Sequence, residues 1–249
     1  MDFKEEALKV KEDLIADIQT LCRIPSVLDP ATAKEGQPFG QGCREALDCM
    51  LAFGRRDGFE VKDVDGYAGH IDIGEGDEVI GVLGHLDVVP VNAEGWIYPP
   101  FSCTLKDNIL YGRGTSDDKG PTLAAYYAAK IIHDLKLPTK KKIRIIFGCD
   151  EESGSRCMKH YFSKEPYPQW AFTPDAGFPV CYGEKSGCGY TISADCPEEG
   201  LLSFKAGQRV NIVPETAEAI VVGELSDFSD SFEAFKQKYG VGGSLEEKH

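Results

Sequence analysis

Apolar residues recur along the first part of the chain with helical spacing. One such pattern runs from Phe3 to Leu21 and is stopped by Pro25, which predicts a first helix that ends near Arg23. A second pattern, from about Cys43 to Arg56, is followed by the turn signal RDGF. The chain is therefore predicted to begin with two helices and then a strand.

Shorter apolar runs follow and predict strands. The segment YAGHIDIGEGDEVIGVLGHLDVVP predicts a hairpin with its turn at Gly74–Asp77, and its second strand, Val79–Leu83, lacks alternation, so both faces should be covered. Next come a short hairpin in FSCTLKDNILYG, a helix from about Pro121 to Leu135, a buried strand at Ile143–Phe147 and a short strand in WAFTPDA. Strands that alternate with helices indicate an α/β layer fold.

The pattern changes after about Gly183. GYTISADC, LLSFKAGQRVNIVP and AEAIVVGE predict successive strands, and SDFSDSFEAFKQKYG carries aromatic residues on one helical face. We therefore expect a first, α/β domain over residues 1–184 and an α+β domain over 185–249. The second domain has too few predicted elements to close on itself, so we expect it to be incomplete.

The net charge of the chain limits the classes of partner that we expect it to bind. The 249 residues carry a formal net charge of -14, which argues against binding of nucleic acid or an anionic membrane surface and favours cations. The N-terminal segment lacks the unbroken apolar run of a signal peptide or membrane span, so a cytoplasmic location is expected. The 9 cysteines include no CxxC pair and are interpreted as reduced thiols that pack in the interior.

Four clusters of acidic residues or histidine each follow a predicted strand or a tight bend: GHLD, SDDKG, DEESG and TPDAG. Because the carboxyl ends of strands line the ligand crevice of an open α/β sheet, these clusters should converge. A histidine with several carboxylates suits Zn²⁺ or a related transition metal. Neither an HExxH helix nor a Walker-type phosphate loop is present, so the site would be assembled from separate strands.

Each cluster also has a structural interpretation. His85 and Asp87 could form a surface turn, Asp117 with Asp118 could cap a helix, and the acidic run from Asp150 could complement a helix dipole. Asp175, which follows a proline, could be an ordinary turn residue. Under these alternatives, several apolar strands would each be followed by charged residues at the same end of the sheet without a common reason. A shared metal site gives that common reason and is therefore favoured.

The ordered motifs GHLDVVP, YGRGTSDDKGP, GCDEESG and FTPDAGFP resemble those of the dinuclear zinc metallopeptidases that include aminoacylase, succinyl-diaminopimelate desuccinylase and dipeptidase V. The likeness extends from the first helix to RVNIVP and is strongest to dipeptidase V. The resemblance implies a three-layer catalytic domain with a mixed sheet, an α+β lid domain and hydrolysis of dipeptide amide bonds. N-acyl amino acids are the alternative substrates.

The resemblance also implies residue roles. His85 and Asp175 would bind one metal ion, Asp117 would bridge two, and Glu152 would bind the second; Zn²⁺ is expected, with Mn²⁺ or Co²⁺ as alternatives. The peptide bond between Asp117 and Asp118 would be cis.

The remaining implied roles concern catalysis. Asp87 would orient His85, and Glu151 would be the general base that takes a proton from metal-bound water, leaving hydroxide to attack the amide carbonyl. Asn211 would lie near the substrate, although an ordinary polar residue at a strand end is an equal alternative. Lys185 could also contact the substrate, but it is interpreted as an exposed lysine.

The chain departs from the family in one respect. The family is longer and returns after the lid to the catalytic domain, where a late histidine completes the second metal site. Only His85 of the five histidines lies in a family motif, and His249 belongs to a polar tail. We therefore expect a C-terminally truncated chain whose second metal site is weakened. A catalytically dead metal-binding or interaction module, covered by a partner chain at its incomplete edge, is the third interpretation.

Overall fold

The computed structural model describes residues 1–177, 179–183, 185, 190–193, 195, 199–207 and 213–247. Two compact units are present, Met1–Glu184 and Lys185–His249. The helices of the first unit are α1 (Phe3–Lys9), α2 (Lys11–Cys22), α3 (Gln41–Arg56), α4 (Lys119–Asp134) and α5 (Arg156–Lys164). Its strands are β1 (Glu60–Val64), β2 (Ala68–Ile73), β3 (Val79–His85), β4 (Thr104–Lys106), β5 (Ile109–Tyr111), β6 (Lys142–Gly148) and β7 (Trp170–Phe172). The second unit contains β8 (Leu201–Ala206), β9 (Ala217–Val221) and α6 (Leu225–Tyr239).

The principal sheet has the strand order β1-β2-β6-β3-β7. Strands β3, β6 and β7 are parallel, whereas β2 is antiparallel to both β1 and β6. This mixed sheet confirms the predicted α/β fold class. The three parallel strands direct their carboxyl ends to one edge, which is where the motifs GHLD, DEESG and TPDAG begin.

Strand β6 shows how the layers are arranged. Ile145 and Phe147 belong to a large buried cluster that also contains residues of α2, α3 and α4, whereas Ile146 packs with Tyr161 of α5. Because successive side chains of a strand point to opposite faces, helices cover both faces of the sheet. The sheet is therefore the middle layer of three.

The predicted hairpin of β2 and β3 is wrong. Strand β6 lies between them, with Ile143 aligned to Ile73 on one side and to Ile80 on the other. The connection between Ile73 and Val79 is long enough to pass one strand, since neighbouring strands lie about 4.8 Å apart. Every residue of β2 is buried, and pairing with β6 leaves its backbone bonded on both sides.

The predicted single helix at the N-terminus is also divided. The backbone leaves helical geometry at Val10, between α1 and α2. No residue of α1 is buried, whereas α2 buries Ile18 and Leu21 against the core. Apolar spacing continues across the break, so the sequence gives no sign of it.

The second unit agrees with the sequence in part. Strands β8 and β9 pair antiparallel, and α6 covers the aromatic segment. In the predicted strand GYTISADC, the described residues 190–193 and 195 form no strand.

The described cysteines are all free, in agreement with the predicted reduced thiols. Across the described residues, no helix is both long and apolar enough to cross a membrane.

Candidate metal centre

The carboxyl edge of the parallel strands brings three sequence-predicted ligands together. His85 is the last residue of β3, Asp175 follows β7, and Asp117 lies just before α4. The His85 Nε2 atom is 3.0 Å from Asp117 Oδ1 and 3.5 Å from Asp175 Oδ2. One ligand atom from each of these residues lies within 4.8 Å of the others. One imidazole nitrogen and two carboxylate oxygens fit the donor set that Zn²⁺ accepts.

A hydrogen bond at Nδ1 fixes the orientation of the His85 ring. Nδ1 lies 2.9 Å from the backbone carbonyl oxygen of Asp87. A carbonyl oxygen can only accept a hydrogen bond, so Nδ1 carries the hydrogen and Nε2 is directed to Asp117 and Asp175. The family resemblance implied an orienting role for Asp87. The structure shows this contact at the Asp87 main chain, with the carboxylate oxygen 3.5 Å from Nδ1.

The buried carboxylate of Asp87 has a second set of partners. Its two oxygens accept the backbone N–H groups of Glu151 and Glu152, each at 3.0 Å. These two glutamates form a 3₁₀ turn after β6. Asp87 therefore connects the end of β3 to the acidic segment at the end of β6.

The two glutamates differ from the three clustered ligands. Neither the carboxylate of Glu151 nor that of Glu152 belongs to the group of mutually close ligand atoms. Burial raises the pKa of both carboxyls, and the charges of neighbouring aspartates add to the increase. The structure thus places the two glutamates at the edge of the site. Their roles, general base for Glu151 and ligand of a second metal ion for Glu152, stay predictions.

Asp118 is a residue whose function the sequence did not reveal. The peptide bond between Asp117 and Asp118 is cis, as the family resemblance implied. Asp118 occupies the N-cap position of α4, but its Oδ2 accepts the His85 backbone N–H at 3.1 Å and the Thr122 hydroxyl at 2.8 Å. Burial raises the pKa of the Asp118 carboxyl to about 6. The capping interpretation is therefore incomplete, because this side chain also holds the end of β3 that bears His85.

Gly84 explains how α4 approaches that strand so closely. A Cβ atom at this position would lie 2.0 Å from Thr122 Oγ1 and 2.8 Å from Asp118 Oδ2. A side chain would therefore force the start of α4 away from His85. The glycine of the GHLD motif is required by this packing.

The site also affects the charge of its histidine. Burial alone lowers the pKa of His85, but the hydrogen bond to Asp87 and the charges of Asp87, Asp118 and Asp175 outweigh it and raise the pKa to about 10. The metal-free imidazole is therefore protonated at neutral pH. A bound cation would replace this positive charge among the carboxylates.

Asp150 holds the acidic segment through a second set of bonds. Its buried carboxylate accepts the Arg156 backbone N–H at 3.0 Å and two guanidinium bonds at 2.7 Å each. The Asp150 carbonyl also accepts the Ser155 N–H at 2.7 Å. These bonds close a loop around Glu151 and Glu152. The local sequence signal was an aspartate six residues before an arginine, which is too weak to predict the pairing.

Other predicted positions carry less information. Asn211, the predicted substrate contact, and His249 lie outside the described residues. Lys185 is exposed. Asp175 also fits its turn interpretation locally, since its N–H is bonded to the Thr173 hydroxyl at 3.1 Å, while its carboxylate faces His85.

A family model described as peptidase family M20/M25/M40 matches residues 81–224. The chain belongs to this family. Family membership confirms the resemblance inferred from the four motifs. The matched residues include all of the proposed metal ligands and extend into the second unit.

Several bacterial relatives of this chain are named as dipeptidases. A Bacillus subtilis (strain 168) protein named "Putative dipeptidase YtjP" is 45% identical over 253 residues, covering 96% of this chain and 54% of the relative. A Staphylococcus epidermidis protein named "Putative dipeptidase" is 43% identical, covering 97% of this chain and 53% of its own. The chain spans about half the length of the curated relatives it matches.

Solved structures of the family share the fold. Human carnosine dipeptidase 1 matches with a TM-score of 0.55 and 25% identity, over 66% of this chain and 37% of its own. The dipeptidase Dug1p from Saccharomyces cerevisiae matches with a TM-score of 0.56 and 21% identity, over 65% of this chain and 36% of its own. The second likeness supports the fold alone.

Proposed function

We propose that this site performs metal-dependent hydrolysis of the amide bond of dipeptides. The observation that carries the proposal is the close approach of His85, Asp117 and Asp175 at the carboxyl edge of the sheet, with Glu151 held beside them. The dipeptidase names of the bacterial relatives support dipeptides over N-acyl amino acids as substrates. The same amide chemistry would serve either class.

The proposed metal ligands follow from the donor atoms at this edge. His85, Asp117 and Asp175 would hold one Zn²⁺, with Mn²⁺ or Co²⁺ as alternatives, and Asp117 with Glu152 would hold a second ion. A bound metal ion supplies Lewis acidity, which lowers the pKa of water and polarises an amide carbonyl. The chain's own contribution is to fix His85, whose ring contacts the Asp87 carbonyl and whose backbone N–H donates to Asp118.

Glu151 is the proposed general base. Its carboxyl would accept a proton from the attacking water and donate that proton to the leaving amine nitrogen. Burial raises the pKa of this carboxyl, which brings it closer to the neutral pH at which proton transfer in both directions is efficient. The hydrogen bond from its backbone N–H to Asp87 holds Glu151 in place without occupying its carboxylate.

The substitution Glu151→Gln tests this assignment because it keeps the shape of the side chain and removes the base. We expect the variant to retain the zinc content of the unmodified chain and to lose two to four orders of magnitude in turnover, roughly the share of general acid–base catalysis. Zinc would be measured by elemental analysis and hydrolysis by release of free amino acids from a panel of dipeptides.

Glu78→Gln provides the matched control, because Glu78 pairs with Lys141 on the surface. This control should keep full activity and zinc content. Unchanged turnover in the Glu151→Gln variant would remove Glu151 from the mechanism. Absence of any dipeptide hydrolysis by the unmodified, zinc-supplied chain would contradict the proposed activity for this chain.

A further inference from the structure

Lys119 is a completely buried lysine next to the proposed metal ligands. It is the first residue of α4 and follows the cis peptide bond between Asp117 and Asp118. Burying an ammonium group is costly unless its hydrogens are bonded. The Lys119 Nζ donates to the carbonyl oxygens of Leu21, at 3.2 Å, and of Ile24, at 2.8 Å.

The acceptors explain why a lysine is placed there. Leu21 lies in the last turn of α2, and that turn contains no basic residue of its own. A helix C-terminus carries partial negative charge and is stabilised by a nearby cation. Lys119 supplies this cation from another helix, and so joins the start of α4 to the end of α2.

The segment that bears Asp117 folds around the lysine. The Gly120 N–H donates to the Gly114 carbonyl at 3.1 Å and closes the segment. A Cβ atom on Gly114 would lie 3.1 Å from Lys119 Cδ, which shows how closely the backbone packs on the aliphatic stem. Movement of Lys119 would therefore move the backbone that carries Asp117.

The other end of the connection reaches β3. Ser26, two residues after Ile24, donates its hydroxyl to the Leu86 carbonyl at 2.6 Å. The Ser26 carbonyl accepts the Val88 N–H at 3.0 Å. Leu86 and Val88 flank Asp87 and follow His85, so the segment from Leu21 to Ser26 is bonded to both ligand-bearing parts of the chain.

We propose that Lys119 is a positioning residue of the metal site: its buried ammonium holds Asp117 opposite His85 by fixing the Asp117 segment to the Leu21–Ser26 segment. This inference rests on the proposed metal-dependent function. It assigns Lys119 no contact with metal or substrate.

The substitution Lys119→Met removes the charge and the donors but keeps most of the side-chain length. Tyr127→Phe is the matched control, because the Tyr127 hydroxyl also joins α4 to α2, donating to Asp17 at 2.7 Å two turns away from the site. Zinc dissociation constants would be measured by competition with a chelating dye, and unfolding of the metal-free variants by urea. We expect Lys119→Met to weaken zinc binding at least about tenfold, as loss of a group that supports a ligand does, and Tyr127→Phe to change it less than about twofold.

A readout that needs no metal separates this inference from the proposed function. Amide hydrogen exchange of the metal-free chain should become faster over residues 85–88 and 114–120 in Lys119→Met and remain unchanged there in Tyr127→Phe. If the unmodified chain binds no zinc, the proposed function fails, and faster exchange in both segments would still support the positioning role. Unchanged exchange and zinc affinity in a folded Lys119→Met variant would overturn the inference.

Ser26→Ala decides the case if Lys119→Met does not fold. It removes the hydroxyl that joins the Leu21–Ser26 segment to Leu86 and leaves Lys119 in place. We expect faster exchange over residues 85–88 and about threefold weaker zinc binding, a smaller effect than the tenfold loss typical of a direct ligand support. Exchange and affinity equal to those of the unmodified chain would overturn the inference. So would an equal loss of zinc affinity in a Tyr127→Phe variant.

Discussion

The two acidic segments of the candidate site are held in different ways. Asp117 presents its carboxylate directly to His85, and its neighbours Asp118 and Lys119 are buried and bonded to other elements. Glu151 and Glu152 are held mainly through their backbone, which donates to Asp87, and the Asp150–Arg156 pair closes the loop that contains them. Their carboxylates remain outside the cluster of ligand atoms.

This difference fits the two chemical tasks proposed for the segments. A metal ligand must be kept at one position, which buried hydrogen-bonded charges around it can achieve. A group that carries a proton between water and an amine must be positioned while its carboxylate remains free to exchange hydrogen-bond partners. The bond from the Glu151 N–H group to Asp87 is compatible with this second requirement, which belongs to the proposed role of Glu151.

The largest expected effect comes from removing His85, the histidine that the first segment faces. His85→Ala removes the one nitrogen donor among the described candidate ligands of the cluster and should weaken zinc binding more than about 100-fold, beyond the usual loss for a supporting residue. His133→Ala, which changes a half-exposed histidine on α4, should leave zinc binding unchanged. Chelator competition measures both, and zinc affinity retained in His85→Ala would separate His85 from the metal site.

The pH dependence of zinc affinity tests the contact between the first segment and His85 in a second way. Because the pKa of metal-free His85 is raised to about 10, zinc must displace a proton from it at any pH below that value. The apparent zinc affinity should therefore increase as pH rises, by about tenfold per unit between about pH 6 and 8. Dissociation constants measured across this range in the unmodified chain and in His133→Ala should share this slope. A flat profile would show that His85 is neutral or is not a ligand.

The smallest expected effect concerns the second segment. Arg156→Met removes the guanidinium that closes the loop around Glu151 and Glu152, so turnover should fall by about three- to tenfold while zinc affinity at His85 stays within about twofold. Arg156→Lys should restore little, because an ammonium group cannot form the paired bonds to Asp150. Arg55→Met, at an exposed position of α3, is the control. An equal loss of zinc affinity and turnover in Arg156→Met would contradict separate support of the two segments.

The convergence of the candidate ligands could be predicted because their signals are local. His85 and Asp175 each follow an apolar run that forms a strand, and parallel strands meet at one edge. The order of the strands could not be predicted in the same way. The turn at Gly74–Asp77 indicates reversal, yet β6, which comes later in the chain, pairs between β2 and β3.

The groups that support the candidate ligands could not be predicted from the sequence either. Lys119 bonds to carbonyl groups 95 and 98 positions away. The motif SDDKG does not indicate which backbone carbonyl groups accept the hydrogen bonds of the Lys119 ammonium group. Asp118 looked like a helix cap and does occupy that position, but its carboxylate holds the His85 N–H across two elements. Such bonds depend on tertiary packing, which fixes buried polar partners only after the elements have been assembled.

Zinc K-edge X-ray absorption of the purified chain, combined with its zinc stoichiometry, tests the central claim most directly. The cluster of His85, Asp117 and Asp175 predicts at least one bound zinc ion, surrounded by nitrogen and oxygen at about 2.0–2.2 Å. The chain also contains 9 cysteines, which are competing ligands for this metal. A sulfur shell at about 2.3 Å, or no bound zinc, would contradict a metal site at the carboxyl edge of the sheet.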